Sequence, residues 1–150
     1  MLNMRKENPT RYSSAVGEAW MHFSFKVKYC HNIFDDFGVR NATKALLLKA
    51  CRKYSIPHKE IGFDSNHVHG IIDINNYNRP KAAKLLRGYI TKKLFKLFPW
   101  LKKKYFWGSG LWNPAYFMDS VGKDMKFMQN YVLKQKYAKE GITQMKLVAY

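Results

Sequence analysis

Two histidines two residues apart, His67 and His69, are the first residues of this chain whose spacing could do chemistry. On a strand both imidazoles project to the same side, about 7 Å apart at Cα, while Val68 between them turns into an apolar layer. Two neighbouring imidazoles can chelate one divalent ion, with oxygen or amide donors completing its shell. Near the carboxyl end, Tyr131 and Gln135 are four apart and share one face of any helix that carries them. A tyrosine hydroxyl is a poor nucleophile at neutral pH unless a metal or base favours its anion or activates the phosphate under attack. A glutamine carbonyl is an adequate oxygen ligand for a hard or borderline ion. Each pair also has an ordinary reading: strand histidines are commonly hydrogen-bonded or surface residues, and Tyr-x-x-x-Gln on a helix is commonly packing and surface.

Other residues could join these. Tyr137, six beyond Tyr131, points to the opposite side of a helix and is the weaker nucleophile. His31 and His58 fall in expected connections and read as surface. His22 lies on the polar face of an expected strand and could approach the same site, although a structural or DNA-contacting role is the expectation. Asp73 shares the face of His67 and His69 and reads as a supporting or structural carboxylate. Asp64 reads as near the site in sequence only. Trp107 and Trp112 flank a glycine turn, where core packing is the default and base stacking the alternative.

The elements that must position these residues follow from hydrophobic period. Met21, Phe23, Phe25, Val27 and Tyr29 alternate with His22, Ser24, Lys26 and Lys28, which predicts a strand. Ala42, Leu46, Leu47, Ala50 and Tyr54 recur at helical spacing over about 41–54, and Pro57 blocks continuation. Residues 59–64 read as a short strand and 67–74 as a clear one, its even positions forming one face. Pro80 suits the first turn of a helix that runs to about Leu97 and is stopped by Pro99. Gly108-Ser109-Gly110 between the FW and LW pairs predicts a hairpin, and residues 123–139 a last helix with Met125, Met128 and Val132 inward. The order predicts an α+β fold: a ferredoxin-like (RRM-like) antiparallel sheet with helices on one face, the other face free, and a C-terminal tyrosine-bearing helix. The polar stretch 1–18 is expected to be a loose arm, 19–140 a single domain and 141–150 a tail.

Composition narrows the partners. A chain of 150 residues that is 47% hydrophobic can bury a core without disulfides or metals. Cys30 and Cys51 form no CxxC pair, which fits a reduced cytoplasm and argues against a Cys-ligated zinc site. No run of 18 apolar residues and no apolar core in MLNMRKENPTRYSS predict a chain without an ordinary membrane span or secretory signal. Lys and Arg number 27 against 10 Asp and Glu, a net charge of +17 that attracts polyanions. From Ile74 to Met118 there is no carboxylate. Arg79, Lys81, Lys84, Arg87, Lys92, Lys93, Lys102, Lys103 and Lys104 in that stretch are the expected DNA-binding residues, interleaved with rings on which unpaired bases can stack. Most of those rings are expected in the core, and membrane-surface binding by the basic helix is the weaker rival.

Taken together, these segments resemble the single-tyrosine HUH transposases of the IS200/IS605 type. NHVHGIIDI resembles that family's chelating strand, LLRGYITKKLFKLFPWL its helix ending in Phe-Pro, FWGSGLWNPAYFMDSVG its aromatic segment, YVLKQ its tyrosine helix and HFSFKVKYCHNIF its first strand and basic turn. The resemblance spans roughly residues 20–138, specific in combination though weak piece by piece. It departs at Asn66, where Asp is frequent, and at Cys30-His31, which replaces a usual pair of arginines. What the resemblance implies is a metal-dependent transposase of single-stranded DNA. His67, His69 and Gln135 would bind Mg²⁺ or Mn²⁺, and the nitrogen-rich set favours Mn²⁺. Tyr131 would attack the scissile phosphate at hairpin-bearing element ends, leaving a 5′-phosphotyrosine. It further implies a homodimer in which the tyrosine helix of one subunit completes the site of the other. Two alternatives stay open: an HUH nicking or repeat-processing enzyme, and a non-catalytic module binding single-stranded nucleic acid on the same fold.

Overall fold

A computed structural model describes residues 11–12, 15–16, 18–121 and 129–134. The expected tail, most of the arm, Met125, Met128, Gln135 and Tyr137 lie outside the described residues. Near the amino end β1 (Arg11–Tyr12) pairs antiparallel with β2 (Ala15–Val16). Four longer strands follow: β3 (Trp20–Lys26), β4 (His58–Asp64), β5 (His67–Asp73) and β6 (Phe117–Ser120). They form one antiparallel sheet in the order β4-β5-β3-β6. Between β3 and β4 runs α1 (Phe37–Lys53), and between β5 and β6 runs α2 (Arg79–Leu97). This is the expected α+β plan, two crossover helices on one side of an antiparallel sheet.

The alternation seen in the sequence divides the strands between two faces. Phe23 and Phe25 of β3 and Val68 and Ile72 of β5 turn toward α1 and α2, where they meet Leu46, Leu47, Leu86, Ile90 and Leu94 in the main core. The opposite face is not bare. Trp20, Ile71 and Val121 form a second, smaller cluster there with Val132, from a helical segment at 129–134. That segment lies within the span expected for the last helix.

Three local expectations are corrected. Helix α1 begins at Phe37 rather than near 41, because the Asp36 side chain accepts the Val39 N–H at 3.0 Å and caps it. The first strand ends at Lys26, and Tyr29, expected on its apolar face, is exposed in a turn with left-handed backbone at Tyr29 and Cys30 (φ 63° and 55°). The glycine turn makes no hairpin. A short helix, Pro99–Leu101, continues into a wider π-helical turn, Lys102–Phe106, closed by Trp107 N–H donating to the Lys102 carbonyl at 2.7 Å. Left-handed Trp107 and Gly108 then reverse the chain, so that Leu111 and Trp112 join the end of β3 instead of pairing with the preceding aromatics. Phe106, Leu111 and Trp112 are thereby all buried in the main core.

Candidate active site

Register decides what surrounds the two histidines. His69 lies between Ser24 of β3 and Gly62 of β4, two small neighbours that leave room for its ring. A β-carbon on Gly62 would sit 2.9 Å from His69 Cε1 and 3.1 Å from Nε2, so glycine is the residue that fits. His67 lies between Lys26 and Asp64 in the same ladder. The two imidazoles face the same way, their centroids 5.5 Å apart. His67 Nδ1–H donates to the Asn66 side-chain oxygen at 3.1 Å, which puts the lone pair of the neutral ring on Nε2.

His69 is buried, only 3% exposed, and its Nδ1 has no hydrogen-bond partner among the described residues. Its pKa is pushed down to about 4, first by burial and then by His67 and His22, with Asp64 pulling the other way. The ring is therefore neutral at pH 7 and its lone pair is available. His22, one strand over, has a centroid 6.5 Å from that of His69; its buried Nε2 also lacks a partner, and burial lowers its pKa. Among the described residues no three His, Cys, Asp or Glu side chains gather about one point. Neighbouring imidazoles, one of them buried with an orphaned ring nitrogen, suit a divalent ion whose further donors are amide, water or phosphate oxygens.

Tyr131 reaches this face because its neighbour anchors it. Val132 is buried beside Ile71 and Trp20, and its Cγ1 is 3.6 Å from where a Gly62 β-carbon would stand. One helical position away, Tyr131 is 43% exposed, with its ring 6.3 Å from that of His22. Phe117 of β6, half exposed, closes the other side of His22 at 5.6 Å, edge to face. The result is a cluster of three imidazoles and a phenol on the sheet face away from α1 and α2.

Of the expected residues, His67, His69 and Tyr131 come together here; Gln135 lies outside the described residues. Lys81, Lys84, Lys92, Lys93, Lys102, Lys103 and Lys104 are exposed, and Arg79 faces Asp119 at 3.7 Å in a surface ion pair. Arg87, half-buried, is placed differently from these lysines. Its guanidinium donates to the Asn113 carbonyl at 2.7 Å and stacks over Phe25 and Tyr116, because it packs against the chain returning from the glycine turn. Asp64 is also corrected: it stands beside His67 across the ladder and acts on His69, not merely near in sequence. Asp73 is structural as expected, fully buried, accepting the N–H groups of Ala19 and Asn75, both at 3.1 Å. His22, Gly62 and Phe117 are the site residues that sequence reasoning underrated or missed. Strand phase alone puts His22 on the histidine face, but only the pairing of β3 with β5 puts it beside His69.

Comparison with known proteins places this geometry in a family. The family model described as "Transposase IS200 like" matches residues 15–135. The ISDra2 transposase TnpA of Deinococcus radiodurans is 25% identical over 120 residues, which cover 79% of this chain and 84% of that one. Among solved structures, a candidate transposase of Deinococcus radiodurans superposes with a TM-score of 0.67 at 24% identity, covering 84% of this chain and 97% of its own. A REP-associated tyrosine transposase bound to a REP hairpin superposes with a TM-score of 0.55 at 13% identity, covering 82% and 70%. With the family model spanning most of its length, the chain belongs to the IS200-like transposases.

Proposed function

We propose that this transposase cleaves and rejoins single-stranded DNA through Tyr131, with His67, His69 and Gln135 as the ligands of a Mg²⁺ or Mn²⁺ ion. The observation that carries this reading is the convergence of His69, His22 and Tyr131 on one sheet face, the phenol ring 6.3 Å from His22. When bound, the ion supplies Lewis-acid polarisation of the scissile phosphate and stabilises the leaving oxygen. The phenol oxygen of Tyr131 attacks phosphorus, the bond to the 3′-oxygen breaks, and the phenol proton ends on that oxygen. The products are a 5′-phosphotyrosine and a free 3′-OH, so the phosphoester is conserved for rejoining without ATP. Anchoring by Val132 holds the nucleophile's helix in place, which lowers the entropy cost of the attack.

The substrate is read as hairpin-bearing single-stranded DNA. The exposed lysines of α2 and of the turn after it, in a stretch without carboxylates, support a phosphate partner, and a structural neighbour binds a REP hairpin. Among the described residues no helix is long and apolar enough to cross a membrane. The reading takes the protein as cytoplasmic and as a homodimer on DNA. Incubation with labelled single-stranded element-end DNA and Mn²⁺ is expected to trap an adduct that survives denaturation and is lost in Tyr131→Phe. An undiminished adduct in that variant removes Tyr131 from the mechanism. Salt-sensitive binding with no adduct under any metal condition leaves only a DNA-binding module.

A further inference from the structure

Away from the histidine cluster, the segment after α2 builds a concave surface. Phe95, Pro99, Lys102, Lys103, Trp107 and Gly108 line a groove of about 510 Å³. That volume lies within the roughly 300–1,000 Å³ that small ligands fill. Trp107 is the most exposed of the large apolar side chains described, at 86%, whereas Phe106 before it and Trp112 beyond the glycine turn are buried. Its backbone is left-handed (φ 45°), a conformation that a bulky residue adopts only when its surroundings impose it. Here the imposition is the π-helical turn, whose closing hydrogen bond ends on the Trp107 N–H. Such turns are frequent at functional sites. The same turn places Lys102 and Lys103 on the groove, and the Lys102 ammonium lies 5.7 Å from the Phe95 ring centroid. Lys104 instead lies over Tyr105, outside the groove lining.

We propose that this groove is a stacking site for one unpaired base of single-stranded DNA, the base lying on Trp107 while Lys102 and Lys103 take its flanking phosphates. The inference rests on the reading of single-stranded DNA as substrate and adds a binding site outside the histidine–tyrosine cluster. Charge complementarity selects the occupant: the groove's charged groups are cationic, and no carboxylate occurs between Ile74 and Met118. An exposed indole beside ammonium groups suits a flat, electron-rich ring joined to phosphates, and stacking of this kind tolerates any base. After reversing at the groove, the chain joins the end of the sheet that carries His67. Lys28 N–H donates to the Leu111 carbonyl at 2.9 Å and Val27 N–H to the Asn66 carbonyl at 2.8 Å, one residue before His67.

The test compares oligo(dT) of about twelve nucleotides with an abasic strand of equal length, by fluorescence anisotropy on the full chain. Trp107→Ala is expected to weaken oligo(dT) binding about tenfold (~1.4 kcal/mol) and to leave abasic-strand binding within about twofold. Trp107→Phe, which keeps a ring, is expected to restore most of the affinity. Replacing Lys102 and Lys103 with alanine should weaken both strands and lower the salt slope by about 1.4. Equal effects of Trp107→Ala on the two strands, or no effect on oligo(dT), would overturn the proposal. So would loss of binding to phosphatidylserine vesicles in Trp107→Ala with oligo(dT) binding unchanged, which would assign the groove to a lipid surface. None of these readouts requires cleavage, so failure to trap a Tyr131 adduct would reject the phosphotyrosine chemistry alone.

Discussion

The reactivity of His69 is a matter of the space and dryness around one ring. Gly62 supplies the space, and Gly62→Ala is expected to force the imidazole or Val132 aside, costing about 1–3 kcal/mol and weakening Mn²⁺ binding. Urea denaturation and Mn²⁺ titration check both. Gly70→Ala should destabilise more, because its new methyl meets the Glu60 carbonyl at 2.6 Å, and backbone yields less readily than a side chain. The dryness has a pH signature. An unfolded chain protonates this histidine near the ordinary 6.5, the folded protein only near 4. Between those values the unfolded state binds more protons, so this contribution to stability is whole above pH 6.5 and is lost as pH falls toward 4. The loss amounts to about 3 kcal/mol at most. Urea midpoints measured with EDTA at pH 7.5 and 4.5 are expected to show it, and His69→Gln to flatten it.

At the scale of elements, one arginine and two lysines of similar sequence context do different work on α2. Arg87 ties that helix to the strand-like return at 112–116: its side chain donates to Asn113, and its own carbonyl accepts the Trp112 indole N–H at 3.2 Å. Lys84 and Lys92 are exposed on the same helix. Arg87→Ala is expected to cost about 2 kcal/mol, since a charged hydrogen bond and its stacking are both lost. Lys84→Ala with Lys92→Ala should leave stability within about 0.5 kcal/mol of the parent. The same lysine pair should flatten the salt dependence of single-stranded DNA binding by about 1.4 in slope, as measured by anisotropy against salt. Helical spacing alone puts Arg87 among the cations of α2; what half-buries it and engages its guanidinium is the segment folded across it, which no local pattern announces.

For the whole molecule, the sheet separates two jobs. One face and two helices bury the main core; the other carries the histidines and the tyrosine helix, held by a small cluster of Trp20, Ile71, Val121 and Val132. Within one chain the Tyr131 ring lies beside its own His22. A mixture of His67→Ala and Tyr131→Phe chains, each expected to form no adduct alone, is therefore expected to remain inactive. Recovery of adduct in the mixture would show that the tyrosine helix serves the neighbouring subunit instead.

Period-two and helical patterning determined the strands, the two crossover helices and the common face of His67 and His69, because side-chain direction along a regular element is a local property. The sequence also carried the excess of cations and their freedom from carboxylates, which follow from composition without any coordinates. Only the tertiary structure decided that Asp64 and His22 border the histidines, that Gly62 makes room for one of them, that Arg87 is half-buried and tied to Asn113, and that Trp107 is left exposed. Each of these depends on which strand pairs with which, or on where a returning chain lands, and contacts between residues far apart in sequence leave no period behind.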